Sequence, residues 1–159
     1  MAAAFHIRPA TPEDVAVYEK EPDAVKATPE LLRKNLFETP YAHALLAFTG
    51  TAESATDREA VGLALYFFNF STWTGRPGLY LEDLYVKPNY RSLGIGKALF
   101  GQLGKIAQDK NCARLDWQVL KWNQPSIDFY EKRLGAKAMS EWMGMRLEED
   151  GIDRLKEFR

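Results

Sequence analysis

The sequence predicts an α/β domain in which a mixed sheet carries helices on its faces. Three observations predict it. Short apolar or alternating runs recur at strand-like lengths: Phe5 to Arg8, Ala42 to Phe48, Ala60 to Phe70, Leu79 to Val86 and Ala113 to Leu120. Between them lie segments with helix start signals and apolar residues spaced for one face. One strand, Leu79 to Val86, also leads through a glycine-containing turn, Arg91 to Lys97, directly into such a helix.

Phe5-His6-Ile7-Arg8 alternates and stops at Pro9, so it reads as a short first strand. Thr11-Pro12-Glu13-Asp14 offers an N-cap, a proline in the first turn and early carboxylates, which predict a helix start. Pro22 keeps that helix short. Thr28-Pro29-Glu30 repeats the signal, and Leu31, Leu32, Leu36 and Phe37 give a second helix its apolar stripe. Ala42 to Phe48 reads as a buried strand, Thr49 to Glu59 as a polar hairpin loop, and Ala60 to Phe70 as a longer strand. Thr74 to Gly78 turns the chain back into the strand Leu79 to Val86. Past the glycine turn, Leu99, Leu103, Ile106 and Ala107 share one helix face. Ala113 to Leu120 alternates as a strand should. Asn123-Gln124-Pro125 then opens a helix that carries Ile127, Phe129, Tyr130 and Leu134 and stops at Gly135. Ala136 to Leu147 is expected to hold one or two final strands.

The 159 residues suit a single domain spanning 1–159, and 46% hydrophobic with 27% charged residues is the balance of a globular chain. A net charge of −1 supplies no basic field for nucleic acid. No apolar run approaches the ~20 residues that span a bilayer, and the first residues, MAAAFHIRPA, lack a secretory pattern. Cys112 is the only cysteine, which excludes an intrachain disulfide and fits a reducing compartment. His6 and His43 have no cysteine company, so no metal is expected. The expectation is a soluble cytoplasmic protein without nucleic-acid, membrane or metal partners.

The chemistry gathers around Arg91-Ser92-Leu93-Gly94-Ile95-Gly96-Lys97. Glycines at 94 and 96 permit a tight turn and remove Cβ atoms that would keep a phosphate away. Amides of the following helical turn then point at one spot, where the helix dipole also favours an anion. Arg91 can add a fork of donors there. The spacing matches neither the dinucleotide fingerprint nor a Walker loop. Taken alone, the turn fits an anion site and a plain helix start equally well.

It does not stand alone. Leu79 to Val86 with this turn resembles the acetyl-CoA signature, R/Q-x-x-G-x-G/A, of the GCN5-related N-acetyltransferase (GNAT) superfamily. Trp122-Asn123-Gln124-Pro125-Ser126-Ile127-Asp128-Phe129-Tyr130 is similar to that superfamily's later motif, N-x-x-[AS]-x-x-[FL]-Y. Tyr80 to Val86, Asn89-Tyr90-Arg91, Tyr66-Phe67-Phe68, Ser71-Thr72-Trp73 and Ile7-Arg8-Pro9-Ala10 resemble the diamine (spermidine/spermine) acetyltransferase branch. The resemblance covers nearly the whole chain. It implies a mixed, mostly antiparallel sheet of about six to seven strands flanked by helices and splayed at the acetyl-CoA site. It also implies direct transfer of the acetyl group of acetyl-CoA to a primary amine.

The implied roles can be set against the chemistry. A lysine-like amine has a pKa of ~10.4 and must lose a proton before it attacks. The resemblance places Glu82 there as base, with Asp83 beside it; both can serve one pocket only if the strand is bulged, a feature the superfamily has at this point. Tyr130 matches the tyrosine that donates a proton or hydrogen bond to the coenzyme sulfur. Asn123, Gln124, Pro125 and Ser126 lie where similar enzymes hold the pantetheine and phosphate groups. The backbone of Leu84, Tyr85 and Val86 pairs with the pantetheine as an added pseudo-strand.

Glu82, Asp83 and Asp116, with Tyr18 and Glu19 by resemblance, can build an acidic, aromatic-lined acceptor site, and Trp117 can either add stacking surface there or serve the core or a dimer contact. The segment holding Tyr18 and Glu19 is shorter than the family's usual first helix, and the stretch after Tyr130 is one residue longer than the usual pattern. Cys112 falls at the end of a helix, where the dipole disfavours a thiolate, so no acetyl-cysteine step is expected. Expected acceptors are polyamines and lysine-like small molecules such as thialysine. The alternatives are a protein lysine or N-terminal amine and, in another class, a non-catalytic acetyl-CoA sensor or interaction module. Similar polyamine enzymes are dimers, which implies a homodimer that the strand Trp142 to Leu147 can help to pair.

Overall fold

Five strands form one sheet in sequence order: β1 (Phe5–Pro9), β2 (His43–Thr49), β3 (Ala60–Ser71), β4 (Arg76–Val86) and β5 (Arg114–Trp117). The computed structural model describes residues 4–15, 27–53 and 58–159. The chain forms two compact units, Met1–Gln118 and Val119–Arg159. The sheet belongs to the first. Strands β1 to β4 pair antiparallel, and β5 joins β4 in parallel. A parallel neighbour needs a crossover, which helix α2 (Ile95–Asp109) supplies.

The long strands follow the sequence pattern closely. Strand β2 buries Ala44, Leu45, Leu46, Ala47 and Phe48 in succession, and β3 buries Val61, Ala64 and Tyr66. Helix α2 adds Ile95, Leu99, Phe100 and Leu103 from one face. Leu46, Leu79, Leu99 and Leu103 are fully buried, each stabilising the fold by about 1.5–3 kcal/mol. Gly62 sets how closely α2 approaches the sheet. A Cβ there would lie 3.0 Å from Ile95 Cγ2 and 3.2 Å from Ala47 Cβ, too tight without movement.

The start of the chain is pinned by one buried carboxylate. Asp14 Oδ2 accepts from Arg8 Nη1 (2.7 Å) and from the Thr11 amide (2.8 Å), and Oδ1 accepts from Arg8 Nη2 (2.9 Å). Burial by itself would raise this carboxyl, but the bonds from Arg8 and Thr11 and the Arg8 charge outweigh it and hold it below its ordinary range. Residues 12–15 form a 3-10 turn. The remainder of the expected first helix, with Tyr18 and Glu19, lies outside the described residues. The second expected helix begins as read: Thr28 caps α1 (Pro29–Arg33), which continues as a π-helical turn, Lys34–Glu38.

In the second unit, α3 (Gln124–Asp128) runs into a π-helical turn, Phe129–Arg133, and ends at Gly135, whose φ is +71°. The expected final strands are absent: residues 136–147 pair with no strand among the described residues, which form a sheet of five strands rather than six to seven. The Trp142 N–H instead donates to the Met139 carbonyl (3.2 Å), which makes a turn. An alternating pattern specifies a strand only where a neighbour takes its backbone groups. Here Met139, Trp142, Met143, Met145 and Leu147 are exposed instead. A short helix α4 (Glu149–Arg154) and a 3-10 turn, Leu155–Phe158, follow them. Strand β5 is likewise shorter than its sequence pattern, which extended to Leu120.

Candidate active site

Three irregularities of the sheet coincide at Glu82. In the β3–β4 ladder Leu65 faces Asp83 and Tyr66 faces Leu81, so Glu82 is the extra residue of a bulge. In the β4–β5 ladder the pairing runs from Gly78↔Arg114 to Leu81↔Trp117, so residues 82–86 lie beyond it. The alternation of burial also changes phase there. Leu79 and Leu81 are buried on one side of the bulge, whereas Leu84 and Val86 are the more covered residues on the other. Glu82 and Asp83 themselves are exposed. The bulge that the resemblance implied is therefore present, and β4 beyond it has an edge on the β5 side. Leu84, Tyr85 and Val86 supply that edge.

The glycine turn follows immediately. A 3-10 turn, Pro88–Tyr90, leads to Arg91, then Ser92 at φ +64° and Gly94 at φ +87°. Gly94 is the N-cap of α2, and the first helical bond runs from the Ala98 amide to the Gly94 carbonyl (2.9 Å). The amides of Ile95, Gly96 and Lys97 precede that bond, which is the arrangement that receives an anion. A Cβ on Gly94 would meet nothing within 4 Å, so the backbone there faces open space. On Gly96 it would lie 3.9 Å from Val86 Cγ2, which brings the turn against the end of β4. Ile95 is buried and anchors the helix start, while Leu93 stays exposed. Arg91 is partly committed: its Nε donates to the Val86 carbonyl (2.9 Å), so an anion would be met by its Nη groups.

Contacts that sequence reasoning did not foresee hold the entry to this turn. Glu59 Oε1 pairs with Lys87 Nζ (2.7 Å), and Glu59 Oε2 accepts from the Tyr90 hydroxyl (2.8 Å). The bond to Glu59 raises the Tyr90 phenol above its ordinary range. Nothing local marks these partners, which are 28 and 31 residues apart in sequence. Strand β5 brings Asp116 opposite Tyr80 and Trp117 opposite Leu81. Asp116 Oδ2 is held 2.8 Å from Arg114 Nε, so its charge is already countered. The Trp117 ring packs edge-on against Phe100 at 5.1 Å, which gives it a core contact.

The second unit carries the other predicted residues. Asn123 Oδ1 accepts from the Ser126 amide (3.4 Å) and caps α3, with Pro125 in its first turn. Gln124 Nε2 donates to Asp128 Oδ1 (2.7 Å). Tyr130 sits in the π-helical turn, whose i to i+5 spacing takes up one residue more than an α-turn. That accommodates the extra residue seen after Tyr130 in the sequence. Burial raises the Tyr130 phenol above its ordinary range, so it keeps its proton and remains a donor at neutral pH.

A bulged strand leading to a glycine-capped helix can hold a thioester coenzyme, and comparison with known proteins decides the family. The acetyltransferase (GNAT) family profile matches residues 10–136. The chain belongs to the GNAT acetyltransferase family. Thialysine N-epsilon-acetyltransferase of Bos taurus is 42% identical over 147 residues, covering 89% of this chain and 85% of that protein. The human spermidine/spermine N(1)-acetyltransferase-like protein 1 is 35% identical over 136 residues, 85% of this chain and 19% of that longer protein. Among solved structures, an integron cassette protein from the mobile metagenome of V. cholerae has a TM-score of 0.73 at 24% identity. It covers 98% of both chains and speaks to the fold alone. This GNAT protein is thus an acetyl-CoA-dependent N-acetyltransferase that transfers an acetyl group to an amine. No helix among its described residues is long and apolar enough to cross a membrane.

Proposed function

We propose that this enzyme acetylates the side-chain amine of a lysine-like amino acid such as thialysine, with small polyamines as secondary acceptors. The coincidence at Glu82 carries the reading: a bulge, an unpaired strand edge and two exposed carboxylates fall at one place in β4. On this reading Glu82 takes the ammonium proton, directly or through a water, and Asp83 attracts the cation. The backbone of Leu84, Tyr85 and Val86 pairs with the pantetheine. The turn from Arg91 to Lys97 receives the pyrophosphate, and Asn123 to Ser126 contribute further coenzyme contacts. Tyr130, which burial keeps protonated, hands its proton to the departing thiolate. Acetyl-CoA supplies the activated acetyl group; the chain's own residues orient it and move the protons.

The relatives named for thialysine support the lysine-like choice, as does the Arg114–Asp116 pair. A polycation needs several open carboxylates, and Asp116 is already matched. Trp117, with Tyr18 and Glu19, completes the acceptor site in this reading. The chain works as one acetyltransferase domain in a cytoplasmic setting. A homodimer is part of the proposal, because Met139, Trp142, Met143 and Met145 form an exposed apolar run that a second copy can cover. Light scattering that gives one chain mass at micromolar concentration would rule the dimer out. Direct transfer is tested by varying acetyl-CoA and thialysine together. Intersecting double-reciprocal lines support a ternary complex; parallel lines would require an acetyl-enzyme and refute direct attack.

A further inference from the structure

We propose that Glu59 is a positioning residue for the coenzyme turn: its carboxylate fixes Lys87 and Tyr90, and with them the backbone that carries Arg91 to Gly94. The inference rests on the reading of that turn as the pyrophosphate site. Glu59 is itself held by the sheet. The Thr49 amide donates to its carbonyl (3.0 Å), and its own amide donates to Thr49 Oγ1 (3.1 Å). From this fixed base the carboxylate reaches both residues, Oε1 accepting from Lys87 Nζ at 2.7 Å and Oε2 from the Tyr90 hydroxyl at 2.8 Å. The segment between them is closed further by the Lys87 amide on the Val61 carbonyl (2.9 Å) and the Tyr90 amide on the Lys87 carbonyl (2.9 Å).

Residues 87–90 are thereby tied to the start of β3 at both ends before the chain enters its left-handed residues, Ser92 and Gly94. A turn with two such residues has many alternative conformations, so its entry direction must be set from outside. Lys87 and Glu59 are partly exposed, and an exposed pair contributes little to global stability. Its effect should appear where the geometry of the turn is read, in coenzyme affinity.

The test compares Glu59→Ala, Tyr90→Phe, Lys87→Met, the double variant Glu59→Ala/Lys87→Met, and Gly94→Ala as a control on the turn. Acetyl-CoA binding is measured by calorimetry, kcat at saturating acetyl-CoA by thiol release, and melting temperature by circular dichroism. Positioning predicts that Glu59→Ala weakens acetyl-CoA binding about three- to tenfold, with kcat and melting temperature nearly unchanged. Tyr90→Phe should do so to a smaller degree, and Glu59→Ala should still weaken binding in the Lys87→Met background. Unchanged binding in Glu59→Ala, while Gly94→Ala weakens it, overturns the proposal alone. Tighter binding in Glu59→Ala that vanishes with Lys87→Met also overturns it, because Glu59 would then only neutralise a phosphate-seeking lysine. If Gly94→Ala leaves binding untouched as well, the turn is not the pyrophosphate site and the proposal falls with that reading.

Discussion

Gly94→Ala separates a coenzyme cradle from a plain helix start, and the fold supplies its own control. Gly94 has φ +87° and ψ 0°, and Gly75, in the turn between β3 and β4, has φ +63°. A Cβ at either position meets nothing within 4 Å, so neither substitution clashes inside the protein. The cost is then the left-handed backbone alone, about 1–2 kcal/mol for an L-residue. For a chain of this size that is a fall in melting temperature of about 2–8 °C, similar for both variants. Only at residue 94 does the new methyl stand where the proposed pyrophosphate site requires a phosphate to approach. Gly94→Ala should therefore raise the KM for acetyl-CoA about tenfold, equivalent to ~1.4 kcal/mol, whereas Gly75→Ala should leave it alone. Thermal unfolding by circular dichroism and thiol release against acetyl-CoA concentration give both numbers. Equal losses of melting temperature with no change of KM in either variant would mean that the turn merely begins a helix.

Other perturbations report on the remaining groups. Tyr130→Phe should lower kcat by about 10²-fold or more while changing the KM for acetyl-CoA little; equal damage to both would mark a structural tyrosine. Because burial raises the Tyr130 phenol, the alkaline loss of wild-type rate from its ionisation should come above the ordinary ~10. Glu82→Gln should lose rate at neutral pH and recover relative to wild type as pH rises and the amine deprotonates unaided; a loss independent of pH would argue against a base. Asp14→Asn should cost about 1–3 kcal/mol at pH 7 by urea unfolding, discounted because Arg8 is a third exposed. The Asp14 carboxyl is depressed in the fold, so its contribution is complete above its unfolded value of ~3.9 and disappears as pH falls through the lower folded value. The gap between wild type and Asp14→Asn should close in that acid range; a constant gap would show that the charge is not what stabilises the turn.

How much of this was legible in the sequence depends on whether the deciding contact is local. Thr28 and Gly135 declare helix ends through their own side chain or backbone freedom, and both ends fall where the pattern put them. Leu99 and Leu103 declare the buried face of α2 by spacing alone. Glu82 is different. Alternation would place it and Asp83 on opposite faces, and only the slip between Leu65 and Tyr66 on the neighbouring strand makes it the extra residue. The resemblance to GNAT enzymes supplied that bulge; periodicity could not. Residues 136–147 show the converse, an alternating apolar run with no neighbour to complete it. The Glu59 contacts and the Arg114–Asp116 pair lay beyond the sequence reading for the same reason, since a charge pair is fixed by strand placement rather than by composition.

The most direct measurement of the central claim is thiol release from acetyl-CoA with a panel of amines: thialysine, lysine, ornithine, spermidine, spermine, a lysine peptide and an aminoglycoside. The account predicts that thialysine and its lysine-like neighbours give the highest kcat/KM, with polyamines behind them. Acetyl-CoA binding without acceleration by any amine, or a clear preference for the peptide or the aminoglycoside, would contradict it.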